Sequence, residues 1–278
     1  MTDKDLPEDQ RPDIDGDGVE SSRAPLLDHL KELRSRLIWA VAALSVATLL
    51  CYFFAGPLYN LLLKPLVDEA VIARGQADFE LIYTAPLEVF FVQLKLALFA
   101  GVFVSFPIMA WQAYSFIAPG LYKNEKHAFL PFLVAAPVLF TAGAAFVYYG
   151  MLPLISRFAL GFEQVGGDGI AAIVPQIKVS EYLSLVMALM LAFGLSFQLP
   201  VVLGLLGKAG VVGAGSLRKG RKYALVGILA ASAVFTPPDI ISQIMLTVPV
   251  YGLYEVSIWI VAMMEKKIAE EDAVREAG

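Results

Sequence analysis

The chain has 278 residues, of which 58% are hydrophobic and 17% are charged, and its net charge is −5. This hydrophobic content is high for a soluble domain and typical of a bundle of membrane-spanning helices joined by short loops. The single cysteine, Cys51, excludes an intramolecular disulfide framework.

Long apolar stretches recur along the whole chain. A helix needs about 20 apolar residues to cross a hydrocarbon core about 30 Å thick. The alternating pattern of a membrane β-barrel is absent. We therefore predict an all-α membrane protein with six transmembrane helices, at 37–63, 88–113, 129–151, 181–207, 223–236 and 242–264.

The six predicted spans define one membrane domain over residues 26–265. Before it lies an acidic tail, 1–25, which is rich in Asp, Pro and Gly and is expected to be disordered. After it lies a short polar tail, 266–278. The acidic N-terminus and the long first apolar run predict that no signal peptide is removed.

Positive charge is distributed unequally between the two sides of the predicted bundle. Fourteen Lys and Arg residues lie near the spans in the N-terminal segment, in 114–128, in 208–222 and after 264, whereas the other side has only Lys64, Arg74, Arg157 and Lys178. Cytoplasmic loops carry the excess of Lys and Arg. Both termini are therefore predicted to be cytoplasmic.

The fifth predicted span is unusual in its length. The apolar run from Tyr223 to Phe235 has only thirteen residues, both ends included, before Pro237 and Pro238 turn the chain. Thirteen helical residues cover about 20 Å, which is roughly 10 Å less than an ordinary hydrocarbon core. We predict short fifth and sixth spans and a locally thinned bilayer around them.

Polar residues within or beside the spans need a physical reason. Glu255 lies midway along the sixth span and should face the bundle interior or a wet cavity, either in a buried ion pair or in a functional role. Gln198 should hydrogen-bond a neighbouring helix of this chain or a helix of another protein. Asp239 is placed to cap the last span, which would not exclude partner contact. Lys95 should meet Glu88 near the outer surface or contact a functional groove.

Motifs for catalysis or cofactor binding are incomplete. The acidic run 13–18 resembles half of an EF-hand loop, but Ala24 stands where a bidentate Glu is required. His29 and His127 have no Cys or His at metal-ligand spacing. No phosphate loop and no nucleophile–base pair are recognisable. We predict no enzyme activity, no cofactor, no metal and no nucleic-acid partner.

Two cytoplasmic segments carry carboxylates with open interpretations. Glu32 lies in the amphipathic run 29–37 and could simply pair with Arg36 four residues later. Glu125, in the connection after the second span, could interact favourably with the N-terminal end of the third span.

Four motifs together resemble the TatC family, the multi-spanning core component of the twin-arginine protein translocase. They are His29-Leu-x-Glu32-Leu-Arg34-x-Arg36-Leu, Phe116-Ile-Ala-Pro119-x-Leu-Tyr-x-x-Glu125, Ala192-Phe-Gly-x-Ser-Phe-Gln198-x-Pro200 and Thr236-Pro-Pro-Asp239-x-x-Ser242-Gln243. The resemblance runs from about 26 to 265, in order and through all six spans.

The resemblance implies a receptor for signal peptides that bear an Arg-Arg pair. Glu32 and Glu125 would recognise the two arginines, and Phe116 would lie in the same recognition area. A carboxylate can meet a guanidinium through two directional charge-assisted hydrogen bonds, which a lysine ammonium cannot reproduce.

The same resemblance implies export of folded proteins across the bacterial inner membrane, driven by the proton-motive force. Single-span TatA-like and TatB-like partners would dock along the last two spans, in a complex with several copies of the chain. Gln198, Asp239, Gln243 and Glu255 are the candidate partner-contact or groove residues. Many members carry Glu at position 198, so a role that needs a titrating group there is weakened.

A secondary transporter of a small solute is the main alternative function, and a structural scaffold is another. The transporter predicts paired halves with discontinuous helices at a midplane site. No internal repeat is recognisable in this sequence.

Overall fold

The computed structural model describes residues 17–74, 80–121, 130–164, 176–235 and 240–276. The helices are α1 (Asp17–Tyr52), α2 (Ala55–Arg74), α3 (Glu88–Leu121), α4 (Leu130–Phe146), a π-helical turn (Val147–Met151), α5 (Leu152–Leu160), α6 (Val179–Ser196), α7 (Leu199–Lys208), α8 (Ala214–Phe235) and α9 (Ile240–Glu276). Ile82 and Lys178 form an isolated bridge, and no β-strand occurs in these described ranges. The prediction of an all-α protein is confirmed.

Five helical stretches are long and apolar enough to cross a membrane, namely Leu30–Tyr52, Glu88–Phe116, Pro131–Leu160, Val179–Lys208 and Gln243–Glu270. They correspond to five of the six predicted spans, so the chain is a multi-pass membrane protein. The remaining candidate, α8, has 22 residues, but its first half carries Arg218, Lys219, Arg221 and Lys222. Whether α8 forms the predicted fifth span, and so brings the number of spans to six, stays a prediction, as does the side on which the termini lie.

The first predicted span, 37–63, is divided between two helices. Helix α1 ends at Tyr52, and α2 begins at Ala55 after a turn at Phe53 and Phe54. Pro57 explains the break, because its ring would clash with the carbonyl of residue 53 in a continuous helix. Within the first turn of α2 the missing N–H of Pro57 is harmless. Much of the predicted outward loop 64–87 is therefore helical.

The two ends of the described chain are more helical than predicted. Helix α9 has 37 residues, so the prediction of a short sixth span is wrong. Residues after Met264 continue it because Glu, Lys and Ala are good helix formers, with Lys266 and Glu270 paired at 3.7 Å. Helix α1 begins at Asp17, inside the predicted 1–25 tail, and residues 1–16 lie outside the described part.

The core lies where α2, α3, α4 and α6 meet. Its fully buried side chains include Leu66, Leu96, Phe140, Leu183 and Phe193. Small residues let the helix backbones approach closely, as is usual between membrane helices. A Cβ at Gly143 of α4 would lie 2.6 Å from the carbonyl oxygen of Phe193 in α6.

Helix α1 differs from the others because it packs along α3 and presents much of its surface outward. Leu37, Trp39 and Leu49 are each more than 60% exposed. Its contact with α3 is close, since Gly101 of α3 faces Thr48 without room for a side chain. The exposed apolar surface of α1 is suited to lipid.

The predicted outward connections are tied together by polar contacts. Arg157 of α5 donates to Glu69 of α2 at 2.6 Å. The main chain of Ile82 pairs with the segment that leads into α6, through Val179 N–H at 3.0 Å. Glu88 accepts a bond from the N–H of Thr84 at 2.8 Å and lies 3.8 Å from Lys178, whereas Lys95 is exposed. Glu88 is thus used in capping α3 rather than in the predicted contact with Lys95.

Candidate functional site

Glu32 lies on the exposed N-terminal part of α1 and has an intrahelical partner. Its Oε1 accepts hydrogen bonds from Arg36 Nε at 3.0 Å and Nη2 at 2.6 Å. The Glu32 side chain keeps 37% of its surface exposed and that of Arg36 keeps 25%. The ion pair between Glu32 and Arg36, which is the simpler interpretation of Glu32, is therefore present. An incoming guanidinium would compete with Arg36 for the carboxylate.

Phe116 and Glu32 lie at the same end of the bundle. Helices α1 and α3 touch where Thr48 meets Gly101, and Trp39 of α1 and Ile108 of α3 line one groove, so the two helices run antiparallel. From that contact Glu32 is sixteen residues away along α1 and Phe116 fifteen residues away along α3, about 24 Å and 22 Å at 1.5 Å per residue. Phe116 is partly buried there. Glu125 lies outside the described residues, so its position relative to Glu32 is untested.

Gln198 lies at the break between α6 and α7 and is 9% exposed. The break follows from Pro200, whose ring would clash with the carbonyl of Ser196 in a continuous helix. Gln198 Nε2 donates to the carbonyl of Ala136 in α4 at 3.0 Å, while Oε1 has no hydrogen-bond partner among the described residues. Of the two predicted kinds of partner, a neighbouring helix of this chain is the one observed.

Glu255 forms an ion pair with a residue that the sequence did not single out. Arg221 Nη2 of α8 donates to Glu255 Oε2 at 2.6 Å, and the side chains are 47% and 34% exposed, respectively. The pair is thus half-exposed at the α8–α9 contact rather than enclosed in the bundle. In the sequence, Arg221 lies in a basic run that is typical of a cytoplasmic loop. Its partner becomes visible only from the position of α8 beside α9.

Further polar contacts fix α8 on α9 along its length. Gln243 Nε2 donates to the carbonyl of Leu229 at 3.1 Å, and Tyr254 OH donates to the carbonyl of Leu217 at 2.8 Å. At the start of α8, the N–H of Ala214 donates to Glu265 of α9 at 2.8 Å. The predicted groove residue Gln243 is therefore part of the α8–α9 contact. Asp239 lies outside the described residues, so its predicted capping role is untested.

An apolar groove runs between α6 and the α8–α9 pair. It has a volume of about 450 Å³ and is lined by Ser196, Ala224, Gly227, Ala231, Ser232 and Tyr254 among others. The small side chains on α8 leave its backbone accessible at close range, which is the property that favours helix–helix contact in membranes. In the part of the chain that the structure describes, no group of three or more metal-ligating side chains comes together.

These features define a multi-pass helical membrane protein with polar residues at one end of the α1–α3 pair and along α8–α9. A sequence profile of the family described as "Sec-independent protein translocase protein (TatC)" matches residues 28–249, and the chain belongs to this TatC family. The prediction of family membership is confirmed.

Named relatives and solved structures agree with the family assignment. A TatC protein of Magnetococcus marinus is 44% identical over 255 residues, covering 92% of this chain and 90% of the relative. One of Rickettsia prowazekii is 38% identical over 238 residues, covering 86% and 92%. A crystal structure of a twin-arginine translocase receptor, TatC, superposes with a TM-score of 0.74 at 34% identity, covering 85% of this chain and 99% of that one.

The coarse function follows from the family. The chain is a component of a Sec-independent protein translocase, so its role is in protein transport and it works in a complex with other components. Its relatives are named for translocation rather than for catalysis.

Proposed function

We propose that this chain is the signal-peptide receptor and core subunit of a twin-arginine translocase that exports folded proteins. The observation that carries the proposal is the placement of Glu32 and Phe116 at the same end of the antiparallel α1–α3 pair. Glu125 follows α3 by a few residues and would supply the second carboxylate. An aromatic ring beside two carboxylates suits a peptide with paired guanidinium groups, which bond carboxylates in the plane and stack on rings.

Crosslinking tests this recognition role. The full chain, solubilised in detergent, carries a photoreactive phenylalanine analogue at Phe116 and is irradiated with a peptide that contains an Arg-Arg pair. The same analogue at Tyr149, which is 78% exposed on the predicted outward part of the bundle, is the control. We expect adducts at Phe116 that decrease when Lys-Lys replaces Arg-Arg. Equal labelling at both positions, or no response to the Lys-Lys peptide, would refute the proposal.

The partners proposed for the groove between α6 and α8–α9 are single-span TatA-like and TatB-like helices. The small side chains of Ala224, Gly227 and Ala231 would let a partner helix approach the α8 backbone. Gln198 would act indirectly, by holding the α6–α7 break against α4. Bulky replacement at Gly227, where a Cβ meets nothing within 4 Å, should disturb partner contact and leave the fold intact.

The membrane setting of this proposal is the bacterial inner membrane, with both termini in the cytoplasm. The positive charges near α1, α8 and the end of α9 support that orientation. The proton-motive force is the proposed energy source. Several copies of the chain, each with a membrane domain over 26–265, would assemble in one complex. Collapse of the proton gradient in vesicles that hold the complex should stop transport while signal-peptide binding continues.

A further inference from the structure

Three cations of α8 lie at an unexpected depth beside the apolar part of α9. The two helices are joined where the N–H of Ala214 meets Glu265 and again where Arg221 meets Glu255. Between these contacts α9 carries the uncharged stretch 256–264, about 15 Å long together with its ends. Arg218 and Lys219 of α8 lie alongside this stretch, and Lys222 lies one residue beyond the Arg221–Glu255 contact, so charge and hydrocarbon share one layer of the bundle.

Two of the three cations point away from α9, and the third lies at the flank of α8. Leu217, Ala224 and Ile228 pack in the α8–α9 cluster and mark the inner side of α8. At 3.6 residues per turn Lys219 and Lys222 fall on the outer side and Arg218 falls between the two sides, and all three side chains are exposed. We call Arg218, Lys219 and Lys222 the basic face of α8.

The electrostatics of the basic face are unfavourable without an anion. Its charges lie in the second and third turns of α8, and the first turn of α8 contributes no acidic residue. Within the described part of the chain, the carboxylate that bonds an α8 cation is Glu255, and that bond goes to Arg221. A charge next to hydrocarbon is costly unless it reaches the interface or gains a counter-ion.

The surroundings of the basic face indicate which anion would bind. Lys222 Nζ lies 5.0 Å from the ring centre of Tyr223, and Tyr is enriched at membrane–water interfaces. One turn further along the same side, Leu225 and Val226 are 40% and 66% exposed. Cations, an interfacial aromatic ring and exposed aliphatic side chains therefore follow each other along α8 in the order of a phospholipid's phosphate, glycerol region and acyl chains.

We propose that the basic face of α8 binds the headgroup of an anionic phospholipid, with the acyl chains lying along Leu225 and Val226. The bound phosphate would offset the cluster of cations. Lys219 and Lys222 lie on the outer side of α8, away from the residues that pack on α9, and Arg218 lies at the flank. The proposal goes beyond signal-peptide recognition and does not depend on it.

The test is lipid binding by the full chain, purified in a neutral detergent and stripped of lipid. Phosphatidylglycerol is titrated, with retained lipid counted by native mass spectrometry and the thermal unfolding midpoint followed. Each basic residue near an anionic surface contributes about fivefold in affinity. The triple variant Arg218→Gln, Lys219→Gln, Lys222→Gln should therefore bind phosphatidylglycerol about a hundredfold more weakly, with a smaller rise in unfolding midpoint.

Matched controls separate a site from general attraction. The triple variant Lys31→Gln, Lys266→Gln, Lys267→Gln removes the same charge elsewhere and should lose less than about threefold in affinity. An equal loss in both variants would overturn the proposal, and so would equal retention of phosphatidylcholine. Full competition by millimolar inorganic phosphate would also overturn it in favour of a soluble anion.

The occupant of this face in the membrane can be identified without removing a cation. A photoreactive residue at Val226, below the basic face, should form lipid adducts in membranes that contain phosphatidylglycerol. Adducts with a protein instead would show that a partner helix covers the face and would overturn the lipid assignment. If the Gln triple variant fails to fold, the variant Arg218→Lys, which keeps the charge, should retain binding within about threefold, and loss of binding in it would count against the site.

Discussion

Replacing Glu32 by Gln removes a carboxylate while keeping the side-chain size. A charge-assisted hydrogen bond contributes about 1.5–3 kcal/mol, but a peptide arginine must displace Arg36, whose exposed pair with Glu32 is worth about 0.3–0.5 kcal/mol. The Glu32 side chain is 37% exposed, so its hydrogen bond to the peptide should contribute an energy at the low end of the range for charge-assisted hydrogen bonds. We expect Glu32→Gln to weaken binding of an Arg-Arg peptide by about 1–2 kcal/mol, or roughly five- to thirtyfold.

The assay is a double-mutant cycle that combines Glu32→Gln with a peptide in which Arg is replaced by Lys, measured by fluorescence anisotropy on the solubilised full chain. Because the Lys peptide has already lost the bidentate geometry, Glu32→Gln should affect it less. Glu125→Gln should behave in the same way. Glu181→Gln, an exposed carboxylate in the first turn of α6, is the control and should change binding less than twofold.

The result that would refute the reasoning is strict additivity at both Glu32 and Glu125. Glu32 would then be only the helix-surface partner of Arg36, at 2.6 Å, and Glu125 only a helix-terminal carboxylate. An unfolding midpoint shifted by many degrees in Glu32→Gln would also contradict it, since an exposed pair four residues apart contributes little to stability.

Three other outcomes are expected. In a cysteine-free background that carries either Glu80→Cys or Ala273→Cys, an impermeant thiol reagent applied outside intact cells should label Glu80→Cys alone. Labelling of Ala273→Cys would show that the predicted topology is wrong. Gln198→Leu should lower the free energy of unfolding by about 0.6–1.7 kcal/mol, the range for hydrogen bonds between membrane helices, and unchanged stability would contradict the observed bond. Glu255→Gln should destabilise the α8–α9 contact by leaving Arg221 unpaired, and Arg221→Gln should recover part of the loss in thermal unfolding, whereas simple addition of the two effects would contradict the pairing.

The membrane helices were predictable because a long apolar run leaves the backbone no partners except its own. Their breaks were less visible. In a continuous helix, the rings of Pro57 and Pro200 would clash with the carbonyl four residues earlier. The helices are interrupted at both places. The short sixth span was predicted wrongly, because a drop in hydropathy after Met264 ends the apolar surface without ending the helix.

The partners of the polar residues could not be predicted from the sequence. Gln198 bonds the backbone carbonyl of Ala136, and a backbone acceptor has no signature in sequence. Arg221 looked like part of a loop, and only the register of α8 on α9 places it against Glu255. Glu32 and Arg36 were predictable as a pair because four residues separate them on one helix.

The isolation of α1 has a consequence for how the protein is made. Among the described residues, the main buried cluster takes its side chains from α2, α3, α4, α5, α6, α9 and the π-helical turn, and none from α1. Synthesis from the N-terminus therefore delivers to the bilayer a first helix that exposes much of its apolar surface and packs mainly along α3. Once Gly101 has emerged and docked on Thr48, a helical hairpin is complete before any of the later helices exist. Biogenesis can begin from this hairpin, with the remaining helices added against the α3 side alone.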